Sequence, residues 1–458
     1  MNTISKIIRR IAKPIIGDRE FFLGDKVIWS IFLLLSIISI IEVYSASSPL
    51  TFNTNYWVPI FRHVRYLALG FVFVLVIVHK FEPKYFSIFM AGIIIIWILL
   101  ILTKIFGKEV NEGQREIFRI QPSEWAKPCL IASTAFLMMK FKETGKDLYY
   151  KLILWLSIPT CLLIAPDNIS NGIIIFVIVC LILFIGQLPD DKMKKLLGTC
   201  SVIVITISIF TAATPNETLM MSFNIEVEKT DTINNKEVPR IDTIKVVPFK
   251  RLVTVKNRTF RYCGIPEDYF AVKFFGATVE EKAEKEDNSP LSDKNRQVTM
   301  SKVAIARGGL FNLSIGQSQR SDDLSQSYSD FIYAIIIEET GLLGGIAVLT
   351  LYIILLIRAG NIAHRCNFLF PKLLVMGSVL MIVVQALVHM AVSVDLIPVT
   401  GQPLPLISRG VNSTLVTCIF IGIILNVSRF ENSADIKGKN RVNKDTEEYE
   451  TDYNTKLA

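Results

Sequence analysis

The stretch FIYAIIIEETGLLGGIAVLTLYIILLI, residues 331–357, decides the fold class of this chain. It is a nearly unbroken apolar run that is long enough to cross the hydrocarbon core of a bilayer, for which a helix needs about 20 residues. Acidic side chains stand just before it and inside it, at Asp330, Glu338 and Glu339. Ionisable groups at membrane depth are costly and are retained mainly where they are paired or functional. The stretch therefore predicts a membrane helix with a structural or functional set of acids.

The whole chain has the composition of a membrane protein. It contains 458 residues, of which 51% are hydrophobic and 20% are charged, and its mean hydropathy is +0.45. These values lie outside the usual range of soluble domains. The net charge of +8 comes mainly from Lys and Arg at the ends of apolar runs, which argues against a nucleic-acid partner. The seven cysteines show neither a disulfide framework nor the spacing of a zinc site.

Ten apolar segments approach the length of a membrane span. They are residues 27–47, 60–79, 84–105, 124–142, 149–165, 170–188, 193–213, 331–357, 371–394 and 406–428. We therefore predict an all-α polytopic membrane protein with ten transmembrane helices. Lys and Arg are concentrated in the N-terminal tail, in the loop between the fourth and fifth segments (near residues 140–151) and in the loop between the sixth and seventh segments (near residues 192–195). This positive-inside pattern puts both termini in the cytoplasm.

The predicted spans divide the chain into five regions. These are a cytoplasmic N-terminal tail (1–26), helices 1 to 7 (27–213), a large extracytoplasmic loop (214–330), helices 8 to 10 (331–428) and a disordered cytoplasmic tail (429–458). Alternating apolar residues predict short strands in the first half of the large loop, at 224–230, 242–247 and 251–257. Residues 298–313 are amphipathic and predict a helix at the outer membrane face, broken at Gly308 and Gly309.

Other ionisable residues at or near membrane depth are candidates for a functional site. They are Glu42, Arg62, Arg65, Glu124, Lys127 and His389. On an ideal helix, Glu338 lies about 80° around from Asp330 and about 12 Å deeper, whereas Glu339 faces the opposite side. The alternative for Asp330 is an N-terminal acid favoured by the helix dipole. The alternative for Glu338 and Glu339 is pairing with basic residues on neighbouring helices. Glu124 and Lys127, three residues apart, are spaced for a local ion pair.

Residues 395–410, DLIPVTGQPLPLISRG, form a second unusual stretch. Pro398, Pro403 and Pro405 lie within eight residues, beside Gly401. Such backbone cannot be a lipid-facing helix, and it lies at membrane depth only where it lines a cavity walled by protein. A rigid surface turn is the alternative.

Five motifs of this chain occur together in one known family. They are VYSASS (43–48), QPSEWAK (121–127), GGLF (308–311), YSDFIYAIIIEETG (328–341) and PVTGQPLPLISRG (398–410). In order and spacing they resemble the SEDS family of FtsW, RodA and SpoVE proteins, over nearly the whole chain. The resemblance is to the FtsW division branch of Bacteroidetes-like bacteria, with the RodA elongation branch as the near alternative. One departure is SQSYSD at 325–330, where the family often has Pro-Glu-x-His-Thr-Asp.

The resemblance implies a peptidoglycan glycosyltransferase. Such an enzyme polymerises lipid II at the outer face of the bacterial cytoplasmic membrane, here at the division septum, and releases undecaprenyl diphosphate. The implied partners are a class B penicillin-binding protein, an FtsI-like transpeptidase, and other divisome membrane proteins. Asp330 matches the proposed catalytic acid of the family and would act as the general base. A divalent cation, Mg²⁺ or Mn²⁺, is a further expectation, although no ligand set is visible.

The remaining predicted site residues are expected to bind lipid II and its pyrophosphate. They are Arg62, Arg119, Glu124, Lys127, Asp167, Glu338 and Ser408. The cations among them would stabilise the charge that develops on the leaving group.

Two functions of other classes compete with the polymerase. The first is a transporter, or flippase, of the lipid-linked precursor, which predicts acids spread along several helices. Polar residues instead concentrate in the outer half of the predicted bundle. The second is a non-catalytic divisome scaffold, which would tolerate the loss of Asp330, although that acid is present.

Overall fold

The protein is described by a computed structural model. The described residues are 21–45, 57–106, 108–110, 114–116, 120–166, 168–214, 223–233, 236–246, 250–264, 296–314 and 330–430. Their helices are α1 (Lys26–Ser45), α2 (Trp57–Lys80), α3 (Phe89–Phe106), α4 (Pro122–Thr144), α5 (Asp147–Ile164), α6 (Ile169–Ile185), α7 (Asp190–Ala213), α8 (Lys250–Tyr262), α9 (Arg296–Gly308), α10 (Ile332–Arg365), α11 (Leu369–Ser393) and α12 (Val411–Phe430). Their strands are β1 (Lys108–Val110), β2 (Gln114–Glu116), β3 (Phe223–Ile233) and β4 (Lys236–Val246).

Each of the ten predicted spans overlaps a helix, namely α1 to α7 and α10 to α12. The third span, 84–105, begins in a short 3₁₀ helix, Pro83–Ile88, that precedes α3. Six of these helices contain a stretch that is long and apolar enough to cross a membrane: α1, α2, α5, α10, α11 and α12. Two shorter apolar helices, Phe89–Thr103 and Ile169–Ile185, lie within α3 and α6. The chain is therefore a polytopic α-helical membrane protein, and the number of ten spans stays a prediction.

The ends of α4 and α6 are set by local chemistry, and these two helices carry part of the site. Pro122 occupies the first turn of α4, where its missing N–H is no loss, and Gly145 ends the helix with a φ of 67°. Asn168 caps α6, because its side chain accepts a hydrogen bond from the Asn171 backbone N–H at 3.1 Å. The caps place the first turns of both helices in fixed positions.

The centre of the bundle is α12, nearly all of which is buried. Asn426 of α12 donates to the backbone oxygens of Ile77 and Phe81, at 2.7 and 2.9 Å, and so fixes α12 against the end of α2. The neighbouring α11 packs against α4, α6 and α10. Most of the buried apolar residues of these helices belong to one continuous core.

The large loop contains both the expected strands and one error of prediction. Strands β3 and β4 pair antiparallel from Phe223 opposite Val246 to Ile233 opposite Lys236, over the first two predicted strands. The third predicted strand, 251–257, is wrong, because this stretch lies in α8. Val253 and Lys256, three residues apart, fall on one helical face, and both are buried. Lys256 also donates to the Thr214 backbone oxygen at 2.8 Å, so contact with the end of α7 favours the helix over the strand.

The amphipathic segment ends where it was predicted to break. Helix α9 stops at Gly308, and Gly309 has a φ of +56°. The following residues dock on a kink in α10 at Gly341, whose φ is 74°. The Leu342 N–H donates to the Gly309 backbone oxygen at 2.9 Å, and the Ser314 N–H donates to the Glu339 backbone oxygen at 3.0 Å. Residues 309–314, the docking segment, thus pair with backbone groups that the kink removes from the helix.

Candidate active site

Asp330 lies at the entrance of α10, where the helix meets the Pro-rich loop. The residue itself is partly exposed, while Phe331 beside it is 1% exposed. Phe331 belongs to a small apolar cluster with Ile335 and Val392, which anchors this end of α10 to α11. A Cβ built on Gly401 would lie 3.7 Å from Asp330 Oδ2. The carboxylate therefore lies close to the backbone of the Pro-rich loop at Gly401.

The second half of the Pro-rich loop, residues 395–410, lies in the interior of the protein, whereas none of residues 395–401 is buried. Six residues of the loop are buried: Gln402, Leu404, Pro405, Leu406, Ile407 and Ser408. The Leu404 N–H donates to Ser408 Oγ at 2.7 Å, and the Tyr352 hydroxyl of α10 donates to the Pro405 backbone oxygen at 2.6 Å. The interpretation as a rigid surface turn is wrong for residues 402–408, which pack among the helices, and the interpretation as a loop that lines a cavity stays a prediction.

Helices α8 and α9 hold the beginning of the same loop and the end of α11. The Arg258 guanidinium and the Tyr262 hydroxyl of α8 each donate to a loop carbonyl, that of Val399 and that of Leu396, at 2.9 Å in both cases. The Ser301 hydroxyl of α9 donates to the Ser393 backbone oxygen at 2.6 Å. Helices α8 and α9 therefore lie on the same side of the bundle as Asp330.

Glu124 and Lys127 form the predicted ion pair, buried inside the bundle. Their charged atoms are 2.7 Å apart, and the two side chains are 4% and 1% exposed. Lys127 Nζ also donates to Gln385 Oε1 of α11 at 3.2 Å, and Asn171 Nδ2 of α6 donates to Glu124 Oε1 at 3.0 Å. A buried ion pair needs such additional hydrogen bonds to offset the loss of hydration.

These contacts continue into a circuit of hydrogen bonds that is closed by the peptide bond between Gln402 and Pro403, and we call it the polar ring. Gln385 Nε2 donates to the Pro403 backbone oxygen at 3.0 Å, and Gln402 Nε2 donates to Asn168 Oδ1 at 3.2 Å. The members of the polar ring are Glu124, Lys127, Asn168, Asn171, Gln385, Gln402 and Pro403. The ring therefore joins α4, α6 and α11 to the loop that touches Asp330.

The amide orientations in the polar ring follow from its partners. Asn168 must present oxygen to the Asn171 backbone N–H, so Gln402 donates to that oxygen through its nitrogen. Two members of the ring carry a buried side-chain oxygen that has no hydrogen-bond partner within the described residues, Asn171 Oδ1 and Gln402 Oε1. An amide oxygen can only accept a hydrogen bond. The polar ring therefore contains two unsatisfied acceptors.

The other predicted site residues have different positions. Arg62 is exposed on α2, and Glu338 is buried on α10, where its backbone oxygen accepts from Asn312 Nδ2 at 2.6 Å. Ser408 is buried in the Pro-rich loop and accepts the hydrogen bond from Leu404. Arg119 and Asp167 lie outside the described residues.

Glu339 faces α1 and not the Asp330 side. It is fully buried and accepts a hydrogen bond from the Ser45 hydroxyl of α1. It also lies close enough to Glu42 of α1 for the two carboxyls to interact electrostatically. Glu339, which helix geometry places opposite Asp330, thus has its contact with α1 within the bundle.

Sequence reasoning missed the neutral members of the polar ring. Gln385 is a lone amide in the apolar stretch VVQALV, and this isolation was the available signal. Asn168, Asn171 and Gln402 stand in loops or at a helix start, where amides are common, so their pattern carries no such signal.

For the expected divalent cation, the described residues contain no group of three or more His, Cys, Asp and Glu side chains that could hold a metal.

Comparison with known proteins places the chain in a family. The family model described as "Cell cycle protein", FTSW_RODA_SPOVE, matches residues 25–232 and 277–433. Stage V sporulation protein E of Bacillus subtilis is 38% identical over 135 residues, which cover 29% of this chain and 37% of that protein. The probable peptidoglycan glycosyltransferase FtsW of Dichelobacter nodosus is 38% identical over 154 residues, covering 32% and 38%. In these two matches the chain spans less than two fifths of the relatives' length.

Longer matches are weaker in identity. The probable peptidoglycan glycosyltransferase FtsW of Legionella pneumophila is 24% identical over 446 residues, which cover 93% of this chain and 96% of that protein. A solved peptidoglycan synthase complex contains a chain with a TM-score of 0.61 at 19% identity, covering 89% of this chain and 98% of that one. The crystal structure of Thermus thermophilus rod shape determining protein RodA has a TM-score of 0.55 at 17% identity, covering 89% and 97%. At these identities the two structures establish the shared fold.

Proposed function

The chain belongs to the FtsW/RodA/SpoVE family of cell cycle proteins, and from this premise we propose that it is a peptidoglycan glycosyltransferase that polymerises lipid II. Relatives that carry the name FtsW are described as probable peptidoglycan glycosyltransferases, which supports this activity. One structural observation carries the proposal. The Asp330 carboxylate stands at the entrance of α10, against the backbone of an interior loop that is tied into the polar ring.

In the proposed reaction, Asp330 is the general base. The acceptor sugar attacks through its 4-hydroxyl, whose oxygen forms a bond to the anomeric carbon of the donor. The bond from that carbon to the pyrophosphate oxygen breaks, and the electron pair leaves with undecaprenyl diphosphate. Asp330 receives the hydroxyl proton. A carboxylate that reaches the reacting hydroxyl can supply this step, and its partial exposure leaves it open to a substrate.

The leaving group carries negative charge, so the proposed site needs cations. Arg62 and Arg119 are the proposed contacts to the pyrophosphate. Lys127 is paired with Glu124 inside the polar ring, so its positive charge is already partly balanced. A divalent cation stays a prediction, and no step is assigned to it, since the described residues offer no cluster of metal ligands.

The proposed setting is the septum of the bacterial cytoplasmic membrane, with the reaction at the outer face. The proposed partner is a class B penicillin-binding protein, which would crosslink the new strand. The likeness to a chain of a peptidoglycan synthase complex for polymerization and crosslinking supports such a partner. A role in elongation is the near alternative, because the fold of RodA is shared.

The proposed function is tested by polymerisation of purified lipid II. The chain is co-purified with its cognate class B penicillin-binding protein, whose own active site is blocked, and glycan products are resolved by gel electrophoresis. We expect polymer from the wild type and a loss of about 10²-fold or more in Asp330→Asn, since a positioned general base contributes about 10²–10⁴-fold. Asp395→Asn is the matched control, because Asp395 lies in the same loop and pairs with Lys302 of α9.

Polymer formation by Asp330→Asn at the wild-type rate would exclude Asp330 as the base. No polymer from the wild type, together with normal recruitment of the partner to the septum in cells, would favour the scaffold.

A further inference from the structure

His389 of α11 is a buried polar residue for which the proposed reaction has no use. It is fully buried, and its ring Nδ1 lies 2.7 Å from the backbone oxygen of Gln402. A carbonyl oxygen can only accept, so Nδ1 carries the proton and donates it. Nε2 is then an acceptor, and it has no hydrogen-bond partner among the described residues.

The partner of His389 stands next to the contact with Asp330. Gln402 follows Gly401 directly, and Gly401 is the residue whose Cβ position lies 3.7 Å from Asp330 Oδ2. Gly401 has a φ of +66°, so the turn of the loop at this point is tight. The hydrogen bond from His389 therefore ties α11 to the loop one residue away from the Asp330 contact.

We propose that His389 is a positioning residue, which holds the backbone of the loop against Asp330 through its Nδ1–H. Three features carry this assignment: the single tautomer that the contact allows, the complete burial of the ring, and the adjacency of Gln402 to Gly401. The Gln402 side chain donates to Asn168, so both the backbone and the side chain of this residue are held. His389 acts on the loop and has no contact with the reacting groups in this proposal.

A pair of substitutions separates the donor at Nδ1 from the rest of the ring. The side-chain amide of Asn places an N–H close to the position of histidine Nδ1 and has no counterpart of Nε2. His389→Asn therefore keeps the donor to Gln402, whereas His389→Leu removes it. Ser378→Ala is the control on the same helix, because the buried Ser378 hydroxyl bonds only to the Leu374 backbone oxygen of its own helix.

The first readout is independent of activity. Amide hydrogen exchange is measured on the full chain in lipid nanodiscs, for peptides that cover residues 398–410. In His389→Leu we expect exchange in this loop about three- to tenfold faster, which corresponds to the loss of one hydrogen bond. We expect wild-type exchange in His389→Asn and Ser378→Ala. Unchanged exchange in His389→Leu would overturn the proposal, and so would equally fast exchange in His389→Asn.

The second readout rests on the proposed function and uses lipid II polymerisation. We expect His389→Leu to lower kcat by about tenfold or more with KM changed little, because a small displacement of a reacting group can cost about 10²-fold. His389→Asn should restore most of the rate. Loss of activity in both variants with normal loop exchange would assign the role to Nε2 and overturn the proposal. An inactive wild type would refute the proposed function alone, since the exchange measurement still decides the role of His389.

Discussion

Lys127 and Glu124 show how much a single residue pair depends on its depth in the bundle. Lys127 is among the largest fully buried side chains of the described chain, and its ammonium is shared between Glu124 and Gln385. The same helix carries a second pair with the same spacing, Lys140 and Glu143, at 2.8 Å, but this pair is exposed. The two pairs therefore share their spacing but differ in their order along the helix and in their surroundings.

We predict that Lys127→Met destabilises the protein far more than Lys140→Met. Removal of Lys127 leaves the buried Glu124 carboxylate uncompensated, which costs about 3–5 kcal/mol. Removal of Lys140 leaves an acid that water solvates, and we expect no measurable change. Thermal unfolding of the purified variants in detergent measures the difference.

The double variant Glu124→Gln/Lys127→Met tests whether the uncompensated charge of Glu124 causes this loss of stability. It contains no unpaired charge, so its Tm should recover toward that of the wild type. A double variant as unstable as Lys127→Met alone would show that lost packing, and not lost charge balance, is responsible.

At the scale of the elements, the docking segment and the kink of α10 depend on glycine. A Cβ on Gly308 would lie 1.9 Å from the Ile337 backbone oxygen, and a Cβ on Gly341 would lie 2.6 Å from the Leu310 backbone oxygen. Both contacts are to backbone, so neither can be relieved by moving a side chain. Residues 309–314 approach α10 this closely because no side chain stands between the two backbones.

We predict that Gly308→Ala disrupts this docking and lowers the Tm. Overpacking of this kind costs about 1–3 kcal/mol or more. Gly360→Ala is the control on α10, because a Cβ at Gly360 has no atom within 4 Å. That substitution should be neutral or stabilising by up to about 1 kcal/mol, the difference in helix propensity between the two residues.

For both variants, we would compare the yield of monodisperse protein and its Tm with those of the wild type. Equal behaviour of Gly308→Ala and Gly360→Ala would mean that the close approach of α9 and α10 does not exist in the folded protein.

At the scale of the whole molecule, orientation in the membrane decides where Asp330 works. The predicted topology places residues 214–330 outside the cytoplasm, and Cys263 in this region is the exposed cysteine among the described residues. The loop between α4 and α5, with the exposed Lys146, is predicted to be cytoplasmic.

We predict that a membrane-impermeant maleimide labels Cys263 in intact cells. In a Cys263→Ser background, Lys146→Cys should be labelled only after the membrane is permeabilised. Measurement is by mass shift on gels, with Cys263→Ser alone as the blank. Labelling of Lys146→Cys and not of Cys263 in intact cells would invert the topology and move Asp330 to the cytoplasmic face.

The sequence by itself determined that this is an α-helical membrane protein, where its long apolar helices lie, that Asp330 stands at the entrance of α10, and that Glu124 and Lys127 form an ion pair. These features depend on hydropathy and on the geometry of a single helix, which are local properties of the chain. The same reasoning failed at α8, where apolar residues spaced for a helical face also fit a strand, and contact with α7 decided the outcome.

Only the tertiary structure decided the polar ring, the interior course of the Pro-rich loop and the docking of residues 309–314 on α10. Gln402 bonds to Asn168 across 234 positions of sequence, and Lys127 bonds to Gln385 across 258. A neutral amide does not reveal in the sequence which distant donor or acceptor will satisfy it. The physical reason is that buried polar groups must find partners in space, and which partners are within reach is set by how the helices pack.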